Sequence, residues 1–393
     1  MLLIDTGLSP VVKWAGGKEQ ELKYILPNVP SNISRYIEPF VGGGAVYFAM
    51  PVKEKLINDK SVELINLYNQ IKNNNTEFVN KLENIQIAWN GLEDVLLNEQ
   101  SFFYNTYYNY KNSNIDKEQL KQNLLLFIKD NYKAFSELLY NELSKFYNVF
   151  EKELIRNIFN KMLRMKELEH KKGDISAKDV MDNFECALKG SFYMFIRTLY
   201  NIDQHNNIEY FYFIREYCYS SMFRYNSNGG FNVPYGGISY NRKNMKRKIN
   251  YIKSDALKKH LINTKIFNLD FEDFLDQIEL KADDFIFLDP PYDTDFSSYV
   301  NNTFEKQDQE RLADYLTNKC PANFMLIIKN TDFIKELYSR RGFYINNFNK
   351  KYMVSFKGRN NRDCEHLIIS NYKLPTNENK VMTITYQKQL QYA

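Results

Sequence analysis

The chain has 393 residues, of which 44% are hydrophobic, so it can bury one large core or two ordinary ones. Four scattered cysteines form no CxxC pair, which argues against a disulfide framework or a zinc knuckle, and no apolar run is long enough to span a bilayer. The N-terminus lacks the basic start and apolar stretch of a signal peptide. We therefore predict a cytoplasmic protein without a metal ion. Its net charge of +4 gives only a weak indication of nucleic-acid binding.

The N-terminal part alternates between strand-like and helix-like segments. RYIEPF at 35–40 and EKLIND at 54–59 have the composition of short buried strands. The second is followed by helical apolar spacing over Ser61–Lys72, with Ser61 as the N-cap. This alternation is typical of a parallel α/β sheet.

Helical spacing dominates from residue 73 to residue 260, and it predicts helices over Lys121–Tyr147 and Gly190–Asn201. Strand-like segments then resume at 265–270, 284–292, 323–330, 342–350 and 364–373. We predict a catalytic α/β domain built from 1–72 and 261–373, interrupted by a helical domain at 73–260 and followed by a tail at 374–393.

Two features near the N-terminal strands indicate a ligand. The turn EPFVGGGAVYF carries Gly42 and Gly44 between a strand and a helix, where glycines let a ligand approach the backbone. It does not match GxGxxG, and it suits a nucleoside without phosphates. Asp59 ends the second strand, where an acid in doubly wound sheets bonds to ribose hydroxyls, although it also suits a helix N-terminus.

The segment VVKWAGGK places Trp14 between Lys13 and Lys18, beside a glycine pair. A tryptophan face attracts a cation or stacks on a base. A core tryptophan is the usual alternative, but flanking lysines and a glycine pair are less common around one.

The stretch FIFLDPPY ends a buried strand on Asp289, Pro290, Pro291 and Tyr292. Proline cannot continue a central strand, so the strand must stop here in a stiff backbone. An exocyclic amine on a base is a poor nucleophile because its lone pair is delocalised. The Asp289 carboxylate and the Pro290 carbonyl are two acceptors that localise this lone pair, and Tyr292 offers a ring to stack on the base.

The motifs KWAGGK, EPFVGGGAVYF, FRYNSNGGFNVPYG and FLDPPY occur in this order, and together they resemble the Dam-type DNA adenine-N6 methyltransferases of the alpha group. The resemblance covers about residues 9–72 and 210–372. It implies an α/β fold with a doubly wound, seven-stranded, Rossmann-like methyltransferase sheet and an inserted, mostly helical target-recognition domain. It also implies base flipping and a site-specific adenine-N6 activity on double-stranded DNA.

The resemblance further implies S-adenosyl-L-methionine as methyl donor, with S-adenosyl-L-homocysteine as product and no metal. Residues that would bind the donor are Trp14, Lys18, Phe40, Gly42, Gly44, Asp59, Asp270 and Phe271. Residues that would carry the catalytic motif are Asp289, Pro290, Pro291 and Tyr292.

By the same resemblance, Lys13 contacts the DNA target, and Arg224, Tyr225 and Asn226 insert into the duplex near the flipped base. The basic run at 239–260 follows directly, and its lysines and arginines are candidates for phosphate contacts. We name Arg242, Lys243, Lys246 and Arg247 there, and Arg359 and Arg362 as further backbone contacts.

The middle segment, around residues 78–190, is longer than the recognition region of this family, so the GATC target cannot be carried over. An RNA adenine or DNA cytosine-N4 methyltransferase and a catalytically silent DNA-binding module remain alternatives. We expect a monomer without membrane contact, acting in a restriction-modification or phage or host DNA-marking system, with a cognate restriction endonuclease as a candidate partner.

Overall fold

The structure is a computed structural model, and it describes residues 6–204, 206–222, 224–292, 304–351 and 363–374. Arg359, Arg362 and nearly all of the predicted tail lie outside the described residues. The seven strands are β1 Arg35–Glu38, β2 Glu54–Asn58, β3 Thr264–Phe267, β4 Asp284–Leu288, β5 Asn323–Lys329, β6 Tyr344–Lys351 and β7 Asp363–Ser370.

These strands form one sheet in the order β3-β2-β1-β4-β5-β7-β6. The first five strands in this order are mutually parallel, and β7 runs antiparallel to both β5 and β6. Strands β1 and β4 are neighbours at the centre, although more than 240 residues separate them along the chain. The predicted seven-stranded α/β sheet is therefore confirmed.

The helices before β3 are α1 Leu22–Ile25, α2 Ala45–Ala49, α3 Val62–Lys72, α4 Thr76–Asn98, α5 Gln100–Lys111, α6 Lys117–Asp130, α7 Tyr132–Glu137, α8 Tyr147–Lys172, α9 Ala177–Ile202, α10 Ile208–Tyr217, α11 Lys246–Ile252 and α12 Asp255–Ile262. Those after it are α13 Phe271–Asp276, α14 Lys306–Asn318 and α15 Asp332–Ser339. Short 3-10 turns occupy Leu26–Asn28, Asn141–Phe146, Tyr219–Ser221 and Ile238–Tyr240. Among the helices in the described part of the chain, none is long and apolar enough to cross a membrane.

Ser61 caps α3 as expected, since its hydroxyl accepts a hydrogen bond from the Leu64 amide at 3.3 Å. The helix predicted over Lys121–Tyr147 is instead interrupted. Helix α6 ends where Asn131 leaves helical geometry and donates its side-chain amide to the Phe127 carbonyl at 3.0 Å. Apolar spacing alone did not reveal this break, because the apolar residues continue past it.

The described residues form two hydrophobic cores. One combines sheet residues such as Tyr36 and Phe285 with residues of the helical segment such as Trp89 and Phe192. The other packs the remaining sheet residues against α13, α14 and α15. Because the helical segment shares its core with the sheet, it holds the loops between α10 and α11 in fixed positions relative to the strand ends.

Candidate active site

The predicted site residues converge at the carboxyl ends of β1, β2 and β4. Strand β1 continues into the glycine turn, and β4 continues into Asp289. The crossover connections leave β1 and β4 in opposite directions, so a crevice opens between them. In open α/β sheets, ligands bind at such switch points.

Asp289 forms an ion pair with Lys18, whose side chain is almost fully buried. The Lys18 ammonium also donates to the Gly16 carbonyl at 2.8 Å and lies 5.2 Å from the centre of the Tyr292 ring. The Tyr292 hydroxyl donates to Asp289 Oδ1 at 3.5 Å. Lys18 was predicted beside the donor, and the structure brings it onto the carboxylate of the predicted catalytic motif.

The two prolines of the motif differ in their surroundings. Pro290 is buried and Pro291 is exposed. The Pro291 carbonyl accepts a hydrogen bond at 3.2 Å from the side-chain amide of Gln309, a fully buried residue on α14. Helix α14 therefore holds the backbone that follows Asp289.

The glycine turn needs glycine at two positions. Gly42 has φ +49°, and a Cβ there would lie 2.8 Å from Trp14 Cδ1. Gly44 has φ +78°, and a Cβ there would lie 2.5 Å from the Tyr68 hydroxyl. The turn is thus shaped around the Trp14 ring, and larger residues would fill the space beside it.

Asp59 bonds to the backbone of this turn. Its Oδ2 accepts from the Gly42 amide at 3.0 Å, and its Oδ1 accepts from the Ser61 amide at 2.9 Å. Burial raises the pKa of Asp59, against the effect of these amide donors. Asp59 therefore connects the end of β2 to the glycine turn, and each oxygen keeps further lone pairs for a ligand.

A cluster of aromatic rings surrounds Phe40, which directly precedes the glycine turn. The Phe40 ring centre lies 5.6 Å from those of both Phe271 and Phe304. Asp270 caps α13 by accepting from the Glu272 amide at 3.1 Å. Asp270 Oδ1 also accepts a hydrogen bond from Arg311 Nη2 at 2.8 Å. The Arg311 guanidinium lies 4.9 Å from the Phe271 ring centre.

A buried acid that the sequence did not single out lies under the site. Glu38, at the end of β1, is 2% exposed and accepts from the Tyr36 hydroxyl at 2.7 Å. Burial raises its pKa well above the usual value, and nearby Asp289 acts in the same direction. Its position directly before the glycine turn was the available signal.

The predicted DNA residues around Tyr225 lie in a short hairpin at 224–232, whose two sides are bridged between Tyr225 and Phe231. Arg224 donates to the Asn232 side chain at 2.7 Å, and Asn226 accepts from the Gly230 amide at 2.9 Å. The Tyr225 hydroxyl lies 3.3 Å from that of Tyr200, and burial raises its pKa to about 12. Arg224 and Asn226 thus shape the hairpin itself.

The other predicted DNA residues differ in exposure. Lys13, Arg242, Lys246 and Arg247 are exposed. Lys243 turns inward, where its ammonium donates to the Glu216 carbonyl and lies 4.4 Å from the Tyr240 ring centre. Within the described residues, no group of three or more His, Cys, Asp or Glu side chains is arranged to hold a metal ion.

The fold and the site define a Rossmann-like methyltransferase with an acid-Pro-Pro-Tyr motif at the switch point of its sheet. The chain belongs to the family described as D12 class N6 adenine-specific DNA methyltransferase, whose model matches residues 14–191 and 174–356. The predicted resemblance and the predicted enzyme class are thereby confirmed.

Similar proteins occur in a virus, an archaeon and a bacterium. The chain is 27% identical over 375 residues to the Type II methyltransferase M.CviBI of Paramecium bursaria Chlorella virus NC1A, covering 93% of this chain and 100% of that protein. It is 27% identical to the Type II methyltransferase M.MjaIII of Methanocaldococcus jannaschii, covering 93% of this chain and 99% of that protein. It is also 24% identical to the Retron Ec67 DNA adenine methylase of Escherichia coli, covering 84% of this chain and 81% of that protein.

Proposed function

We propose that the protein transfers a methyl group from S-adenosyl-L-methionine to N6 of an adenine flipped out of double-stranded DNA. The observation that carries this proposal is the position of Asp289 and Tyr292 beside the glycine turn, at one switch point of the sheet. Membership of the adenine-specific DNA methyltransferase family supports the target atom.

The residues around the glycine turn fit such a donor. The space that a Cβ at Gly42 would fill adjoins the Trp14 ring, and the Phe40 ring, just before the turn, packs against Phe271. Asp59 retains acceptor capacity for ribose hydroxyls. We assign donor binding to these residues, to Gly44, and to Asp270 at the start of α13. When bound, the donor supplies an electrophilic methyl group on a sulfonium.

The catalytic residues act on the amine. The Asp289 carboxylate and the Pro290 carbonyl accept the two N6 hydrogens, which localises the nitrogen lone pair, and Tyr292 stacks on the base. The Gln309 bond to the Pro291 carbonyl keeps this backbone from shifting. Fixed acceptors need no reorganisation during the reaction, which is why they lower its barrier. The amine proton leaves to solvent.

Lys18 forms an ion pair with Asp289 and must share this carboxylate with the target amine. Its ammonium already contacts Asp289 Oδ2, while Oδ1 accepts the weaker 3.5 Å bond from Tyr292. We assign Oδ1 as the oxygen that receives the amine, since the Tyr292 bond is long and easily exchanged.

The DNA would lie along the exposed residues of the loop between α10 and α11. Tyr225 would fill the gap left by the flipped adenine, and Lys13, Arg242, Lys246 and Arg247 would contact DNA. Arg224 and Asn226 would support the wedge, because both hold the hairpin in shape. Lys243 would support the loop from inside.

Two relatives carry the name Type II methyltransferase, which supports a role in restriction-modification with a cognate endonuclease. We further propose that the enzyme acts as a monomer on cytoplasmic DNA.

The test uses labelled S-adenosyl-L-methionine with plasmid from a host without adenine methylation and, in a parallel reaction, with total RNA from that host, each followed by digestion to nucleosides. We expect the label in N6-methyladenine. Label in N4-methylcytosine, label in RNA alone, or DNA binding without transfer would each contradict the proposal and support one of the alternatives.

A further inference from the structure

Arg215 is a fully buried arginine on α10 that joins two distant backbone segments. Its Nη2 donates to the Lys13 carbonyl at 2.9 Å, and its Nη1 donates to the Met222 carbonyl at 2.7 Å. Its relative exposure is 0%, and burial lowers its pKa. A buried charge is costly, so this side chain must provide something that an apolar residue of similar size would not.

The first segment belongs to the proposed donor site. Lys13 precedes Trp14, and the Arg215 guanidinium carbon lies 5.4 Å from the Trp14 ring centre. The same ring adjoins Gly42, where a Cβ would lie 2.8 Å from Trp14 Cδ1. Arg215 and the glycine turn therefore both constrain the position of Trp14.

The second segment leads into the hairpin that carries Tyr225. Met222 stands three residues before Tyr225, and its carbonyl also accepts from Cys218 Sγ at 3.6 Å. Ser220 and Ser221, immediately before it, have φ of +53° and +50°. Serine adopts this left-handed geometry only when its surroundings impose it, and the Arg215 bond to Met222 is one such constraint.

We propose that Arg215 is a positioning residue that couples donor binding at Trp14 to the placement of the Tyr225 hairpin at the target base. The planar fork of a guanidinium reaches both carbonyls at once, whereas a lysine ammonium is a single point charge. This inference rests on the proposed function. Coupling between two ligands is reciprocal, so donor and DNA each raise the affinity of the other by the same factor.

The experiment measures this factor with S-adenosyl-L-homocysteine, which binds without reacting, and a duplex cut from a plasmid that the enzyme methylates. The affinity of the enzyme for S-adenosyl-L-homocysteine is measured by calorimetry with and without the duplex. We expect a factor of about 5 or more in the wild type. In Arg215→Lys and Arg215→Met, we expect a factor near 1, with binding of S-adenosyl-L-homocysteine alone changed less than about 3-fold.

Arg197→Lys is the matched control. Arg197 is also an arginine of the helical segment, and its Nη1 donates to the Val233 carbonyl at 3.0 Å. That bond braces the segment that follows the hairpin without involving Lys13 or Trp14. We expect the wild-type coupling factor in Arg197→Lys.

Three results would overturn the inference: an unchanged factor in both Arg215 variants, an equal loss in Arg197→Lys, or failure of both Arg215 variants to fold. Arg215→Met guards against the last result, because replacing a buried charge by an apolar side chain is often neutral for stability. If the wild type binds neither ligand, the proposed function itself fails. A wild type that binds both without coupling contradicts only the role of Arg215.

Discussion

The contact between Lys18 and Asp289 spans 271 positions of the chain, and it pairs the carboxylate of the acid-Pro-Pro-Tyr motif with a buried ammonium. Local motifs identified both residues, since each stands in a short pattern of glycines or prolines. The contact between them was not predictable, because neither motif indicates which distant residue it will contact in the folded chain. The same holds for Arg311 on Asp270 and for Arg215 beneath Trp14.

Replacing Lys18 by glutamine removes the ion pair that holds Asp289 Oδ2 in place. The carboxylate then loses a fixed position for the proposed target amine. We expect single-turnover transfer at saturating S-adenosyl-L-methionine to fall by about 10-fold or more.

The control for this prediction is Lys23→Gln, on the exposed side of α1 a few residues away. It should keep the wild-type rate of transfer. A wild-type rate in Lys18→Gln would show that the ion pair does not position Asp289.

Gly42→Ala tests the shape of the donor site. The new Cβ would lie 2.8 Å from Trp14 Cδ1 at a left-handed φ, so the indole ring must move. We expect donor affinity, measured by calorimetry, to fall by about 10-fold, which corresponds to about 1.4 kcal/mol.

Gly342→Ala is the matched control, because Gly342 also has a left-handed φ, of +75°, but a Cβ there meets nothing within 4 Å. Both variants should lose about 1–2 kcal/mol of stability from backbone strain. Equal donor affinities in the two variants would show that Trp14 is not part of the donor site.

At the scale of elements, strands and caps were predictable because their signals are local. Ser61 caps α3, and the buried run before Asp289 forms β4, since hydroxyl capping and continuous apolar burial need only neighbouring residues. The interruption between α6 and α7 was not predictable, because Asn131 ends the first helix without any proline or glycine.

Helix α12 packs its His260 ring onto α2, with His260 Nε2 3.1 Å from the Tyr47 carbonyl. Burial, assisted by the nearby Lys55 charge, lowers the pKa of His260 to about 4 from its usual 6.5. The unfolded chain therefore binds a proton first as pH falls. Stability should drop between pH 6.5 and pH 4, by on the order of 3 kcal/mol.

Urea unfolding at several pH values checks this prediction. His260→Gln should unfold with a smaller pH dependence over that window, whereas His170→Gln, altered at an exposed site on α8, should behave as the wild type does. Identical slopes for His260→Gln and the wild type would contradict the assignment.

At the scale of the whole molecule, the helical segment and the sheet share one core. Three of the exposed basic residues follow the hairpin along the chain, with Arg242 just before α11 and Lys246 and Arg247 in its first turn. The order of the motifs was enough to predict the sheet and its switch point. The role of the helices around residues 78–190 could not be predicted, because their apolar spacing indicates only that they pack against other elements.

Arg242→Ala and Lys246→Ala test the path of the DNA. Each phosphate contact that is lost should reduce the slope of log K against log[salt] by about 0.9. Lys53→Ala is the control, since Lys53 is exposed just before β2, at the opposite edge of the sheet. An unchanged slope in both test variants would show that the DNA does not contact Arg242 or Lys246.

The central claim is that Asp289 positions the adenine amine and does not hold the donor. The most direct test compares label transfer to N6-methyladenine in plasmid DNA between the wild type and Asp289→Ala, with donor binding measured on the same preparations. We predict a loss of transfer of at least about 100-fold, with donor affinity within about 3-fold of the wild type. Retained transfer, or a loss of donor binding that matches the loss of transfer, would contradict the account.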